Sequence, residues 1–140
     1  MWLLLSLACG PGAAKPQLDT LPLVVDGHRV TAELADEPAE RSAGLMYRKA
    51  LGTDAGMLFV YPSSKTRSFW MENTQIPLTI AYITGEGRIV ALKDMTPFDR
   101  TSVSSDTPVL YALEMEKGWF EAHDVQVGDQ VTGLPGASEK

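Results

Sequence analysis

The stretch PLTIAYITGEGRIVALKDM, residues 77–95, decides the fold. In its first half, Leu78, Thr79, Ile80, Ala81, Tyr82 and Ile83 put apolar side chains on both alternating faces, the pattern of a strand covered on both sides. Gly85-Glu86-Gly87 then gives a turn, and RIVALKDM (88–95) returns as a second strand. The first of these two strands is expected to be central in its sheet.

Outward from this hairpin the same rhythm recurs, with apolar runs of five to nine residues cut by Gly, Pro and Asp. LPLVVDGHRVTAEL (21–34) reads as a hairpin turning at Asp26-Gly27, since Asp-Gly accepts the positive φ of a tight turn. GMLFVY (56–61), TRSFWMEN (66–73), PVLYALEME (108–116) and VGDQVTG (127–133) read as further strands, and FDRTSVSSDTP (98–108) as a polar loop. DEPAERSAGLMYRKAL (36–51) is the helical stretch: Asp36 can cap, Pro38 suits the first turn, and Glu40 can reach back to the cap. KGWFEAHD (117–124) reads as a turn with a short helix. The expected fold is mainly β: a compact single-domain β-sandwich or barrel-like fold of about eight strands with one short helix.

The 140 residues suffice for one domain with a real core. Hydrophobic residues at 44% and charged residues at 21% are globular proportions. The net charge of −6 and scattered basic residues argue against a nucleic-acid partner, which needs clustered Lys and Arg against phosphates. Cys9 is the single cysteine, so no internal disulfide can form. His28 and His123 lack metal-ligand spacing, and neither a metal nor a cofactor is expected.

The N-terminus is a separate text. Met1–Ala14 carries no charge, and WLLLSLAC (2–9) is too short to span a bilayer, which takes about 20 helical residues. It suits the hydrophobic region of a signal peptide, and Ala8-Cys9-Gly10 resembles a bacterial lipoprotein cleavage box with Cys9 as the lipidation site. The expected organisation is a signal peptide over 1–9, a flexible Gly/Pro/Ala tether over 10–20, the domain over 21–134, and a disordered tail over 135–140. Such a protein is exported and lipid-anchored in the periplasm or envelope, touching the membrane only through its anchor.

Four separated phrases carry a family resemblance: ERSAGLMYR (40–48), GMLFVY (56–61), FWMENTQIPLTIAYI (69–83), and LEMEKGW (113–119) followed by VGDQV (127–131). In this order they resemble the bacterial and archaeal family called domain of unknown function 192. The resemblance implies a compact, mainly β domain, often behind an export signal, and implies no particular reaction. Glu72 stands where the family commonly has Lys or another polar residue.

The candidate ligand-binding residues are Arg41, Arg48, Trp70, Asn73, Thr74 and Glu114. Trp70 beside Asn73 and Thr74 offers an aromatic face with polar neighbours, as a sugar platform would. The bland alternative is a core role for Phe69 and Trp70, with Asn73 and Thr74 tying the turn. Glu114 lies among apolar neighbours on its strand and needs a partner, for which Arg48 is the expected one; Arg41 or Arg48 could alternatively face an anionic group. Ser104, Ser105 and His123 lack the frame of a nucleophile elbow. The favoured function is a non-enzymatic binding domain for a small molecule, a glycan or an envelope protein. The alternative is a hydrolase on a cell-wall or carbohydrate substrate, with Glu114 as acid or base and Arg48 stabilising charge.

Overall fold

The computed structural model describes residues 17–140, so the leader and Cys9 lie outside the described residues. The expected hairpin forms from β1 (Thr20–Val25) and β2 (His28–Ala35), which pair antiparallel across Asp26 and Gly27, both at positive φ. A short helix, α1 (Pro38–Ala43), leads to the long strand β3 (Ala55–Lys65). Then come β4 (Ser68–Phe69), β5 (Leu78–Ile83), β6 (Ile89–Met95) and β7 (Val103–Ser104). β8 (Val109–Glu116), the helix α2 (Trp119–Ala122) and β9 (Val131–Thr132) complete the described chain.

Seven strands form one sheet in the order β6-β5-β8-β3-β2-β1-β9, and β4 pairs with β7 apart from it. The sheet curls until its two edges approach. An isolated bridge between Arg88 and Gln130, with Ile89 N–H donating to Asp129 O at 2.9 Å, stitches the start of β6 to the residues before β9. The mainly β class therefore holds, as a half-barrel closed at one end. All pairings of the large sheet are antiparallel except β2 with β3. A parallel neighbour needs a crossover, and residues 36–54, α1 included, provide it.

Both faces of the sheet are buried because two clusters exploit the strand alternation. One cluster draws residues from all seven strands, among them Val25, Val30, Leu58, Val60, Ile83, Ile89, Leu113 and Val131, and so fills the inside of the curl; Trp119 and Phe120 of α2 join it. The intervening residues Met57, Phe59, Leu78, Ile80, Tyr82 and Ala112 form the second cluster, capped by Leu45, Met71 and Ile76 from the loops. β5 is accordingly buried at every position.

Three local expectations change. α1 is six residues long, and Gly44 at φ 47 ends it beneath the Phe59 ring; Glu37, not Asp36, takes the capping position. TRSFWMEN is strand only at Ser68–Phe69, because Thr74 N–H donates to Met71 O and Asn73 turns the chain at φ 53. The polar stretch 98–108 contains β7, while the short helix read within 117–124 forms as α2, which makes two short helices against the one of the expected fold. Pro135–Lys140 has neither helix nor strand; Ser138 N–H donates to Tyr61 O at 3.0 Å, and the Tyr111 hydroxyl donates to Pro135 O.

Candidate functional site

Glu114 sits in the middle of β8, opposite Met57 of β3 on one side and Ile80 of β5 on the other. Strand alternation sends it to the second apolar cluster along with Ala112. It is 4% exposed, and no side-chain hydrogen bond reaches its carboxyl group from the described residues. Burial without a partner disfavours the charged form, and the pKa is pushed up to about 8, so the group is mainly a neutral carboxylic acid at pH 7.

This acid is not sealed in. It lines a pocket of about 380 Å³ together with Arg41 and Ser42 of α1, Leu45 and Met46 after it, Phe59 and Tyr61 of β3, and Ser68, Phe69, Trp70, Met71, Thr74 and Leu78. A volume of this order falls in the lower part of the range of small-molecule sites, roughly 300–1,000 Å³. Trp70 stands at the rim with 46% of its surface exposed, which removes it from the core role. Phe69 takes that role instead, edge-on to Phe59 with ring centroids 4.8 Å apart.

Arg41 is fixed in the wall. One terminal nitrogen donates to Val60 O at 3.0 Å, and the guanidinium lies 5.1 Å from the centre of the Tyr61 ring. A second guanidinium, Arg67, stacks on Tyr61 at 3.9 Å and donates to Ser63 O. Burial raises the Tyr61 pKa while the two arginines oppose that rise.

The expected pairing of Arg48 with Glu114 does not occur. Arg48 makes a two-pronged ion pair with Glu33 of β2, both contacts 2.9 Å, and so ties the crossover back to its own strand. The reason is position: Arg48 follows the Gly44 turn and pairs on β2, whereas Glu114 lies on β8, with β3 between the two strands. Asn73 is exposed, and its carbonyl accepts from Tyr47 N–H; Thr74 is buried in the pocket wall with its hydroxyl donating to Glu72 O. Of the six candidate residues, the pocket gathers Arg41, Trp70, Thr74 and Glu114, and leaves Arg48 and Asn73 outside.

Phrases that lie far apart in the sequence converge here: residues 41–46, 59 and 61, 69–78, and 114 all contribute lining. Those are the segments in which the family resemblance resides. The family model described as Uncharacterized ACR, domain of unknown function 192, matches residues 22–133. The chain belongs to this family. Two crystal structures are similar to this member. One, from Sinorhizobium meliloti 1021 and described provisionally as a transcription regulator, is 31% identical, with a TM-score of 0.81 over 84% of this chain and 96% of the other. The second, a protein of unknown function from Novosphingobium aromaticivorans DSM 12444, is 32% identical, with a TM-score of 0.77 over 88% and 93%. None of the curated proteins compared matches this domain of unknown function 192 chain.

Tyr61, Arg67, Ser42 and Ser68 were not singled out by the sequence. Tyr61 had a signal, since it ends the GMLFVY run on the same alternation as Phe59; the two serines had none. Among the described residues, no group of three or more His, Cys, Asp or Glu is placed to hold a metal ion.

Proposed function

We propose that this family member is a small-molecule-binding domain, displayed in the envelope by an exported, lipid-anchored protein, and that its ligand occupies the Glu114 pocket. One observation carries the binding reading: a buried carboxylic acid without a protein partner opens into a cavity whose rim is an exposed tryptophan. Burying such a group unpaired costs free energy, and a ligand that satisfies it recovers that cost. Trp70 supplies a flat apolar face on which a sugar ring or another planar ligand stacks. The lining contains one carboxyl group, which favours binding over carbohydrate hydrolysis, where a second carboxylate normally acts as nucleophile or base.

Thermal-shift screening of the protein against glycans and metabolites tests this reading, because a ligand at 100 times its Kd stabilises by about 2.7 kcal/mol. A ligand that raises the melting temperature of the wild type and leaves Trp70→Ala unmoved is the expected result; flat responses throughout would remove the binding function. Export and anchoring rest on the apolar run 2–9, the Ala8-Cys9-Gly10 box and the tether behind it. Mass spectrometry of the envelope fraction should find a mature chain starting at a lipid-modified Cys9. Recovery of an intact Met1 with unmodified Cys9 would refute the anchor.

A further inference from the structure

The charge around the pocket is the reverse of the charge on the whole molecule. The chain carries −6, yet the cation that lines this pocket is the Arg41 guanidinium, and a second, Arg67, stacks on Tyr61 of the lining without itself lining the pocket. The single acidic group of the lining, Glu114, is held neutral by burial and so has a proton to donate. Arg41 has five N–H donors and uses one terminal nitrogen, on Val60 O and more distantly on Ser138 Oγ; among the described residues its Nε and second terminal nitrogen bond no protein acceptor.

We infer that the pocket selects acids, its ligand being a small molecule with a flat apolar face and a carboxylate that the Glu114 carboxyl group and the Arg41 guanidinium receive together. The inference rests on the binding reading above and narrows it to one chemical class. An amine would meet the Arg41 cation beside a carboxyl group that must first give up its proton, and a neutral ring would offer Arg41 only uncharged acceptors, whose hydrogen bonds are about half as strong as those of a carboxylate. The planar guanidinium fork matches a carboxylate, and a carboxylic acid adds a short charge-assisted O–H···O bond to it. Phe69, Trp70, Met71 and Leu78 provide the apolar surface for the remainder of the ligand.

Two matched series separate the outcomes by calorimetric titration of the whole protein: galacturonate, galactose and galactosamine for a sugar face, and benzoate, benzamide and benzylamine for an aromatic one. Inorganic phosphate serves as a further anion. At about pH 6.5, below the point where Glu114 ionises, one acid should bind at least tenfold tighter than its neutral and cationic analogues and than phosphate. At about pH 9.5 that affinity should fall at least tenfold, because an ionised Glu114 repels the ligand. Glu114→Gln keeps a neutral donor and should bind the acid equally at both pH values. Arg41→Gln should lose most of the binding at both.

Equal or tighter binding of the neutral sugar, an amine or phosphate would overturn the acid class while leaving the pocket as a binding site. The same fall with pH in Glu114→Gln as in the wild type would overturn the contact with Glu114. Silence of both series would overturn this inference alone if other compounds still stabilise the protein through Trp70, and the binding reading as well if none does.

Discussion

At the scale of single residues, Glu114 connects the stability of the fold to its chemistry. Its folded-state pKa of about 8 lies above the ordinary value of 4.5, so between those limits the folded chain holds a proton that the unfolded chain has released. Stability must then be full below about pH 4.5, decline as pH rises, and level off above about pH 8, a loss of a few kcal/mol. Chemical denaturation across this window should show the decline in the wild type and its absence in Glu114→Gln; parallel curves would mean that the carboxyl group is not buried neutral. Trp70 behaves oppositely, because an exposed ring contributes little packing. Trp70→Ala should shift stability by no more than about 0.5 kcal/mol. The sequence revealed both residues, Glu114 by its apolar neighbours and Trp70 by its polar ones, but misassigned the partner of Glu114. Alternation tells which face a residue occupies, not which of several arginines the chain path brings near. Glu33 was overlooked as the partner of Arg48 because it reads as one more polar residue on a half-exposed strand.

At the scale of elements, the decisive piece is the crossover from β2 to β3, which lays α1 over the outer face of the sheet and sets Arg41 in the pocket wall. The helix start was legible, since Pro38 and Glu40 are strong local signals. Glu40 Oε1 accepts from the backbone N–H groups of Asp36 at 3.3 Å and Glu37 at 3.2 Å. Glu40→Ala should therefore cost roughly 1 kcal/mol, read by denaturant melting, and should weaken ligand binding as α1 frays. Unchanged stability would show that tertiary contacts alone hold the helix. The strand expected over 66–73 was not legible in the same way. Phe69, Trp70 and Met71 make a short apolar run between polar residues, as a strand can, but the turn at Asn73 and the bond from Met71 N–H to Asp99 O, 2.8 Å long, override that local preference. Those tertiary bonds lift Trp70 out of the sheet and place it at the rim.

For the whole molecule, sandwich and barrel were equally compatible with the apolar pattern, because each needs the same alternation along every strand. What distinguishes them is a contact between distant segments, the seam between the start of β6 and the residues leading into β9. Gly87 makes that seam possible. It sits at φ 87, and a Cβ there would lie 2.6 Å from the Gln130 side-chain Nε2, which can swing away, and 2.5 Å from Val131 O, backbone that cannot move aside without parting the edges. Val131 N–H donates to Gly87 O at 2.7 Å, so the same residue both permits and makes the closure. Gly87→Ala combines an unfavourable backbone conformation with overpacking and should cost about 1–3 kcal/mol. The loss should be local before it is global. Hydrogen exchange should quicken first at the amides of Ile89, Gly128 and Val131, which cross the seam, while those of β3 and β8 in the centre of the sheet keep their protection. A uniform loss of protection across all strands would instead mean that the curled sheet opens and closes as one unit, and that the pocket on its outer face depends on a seam formed on the far side of the sheet.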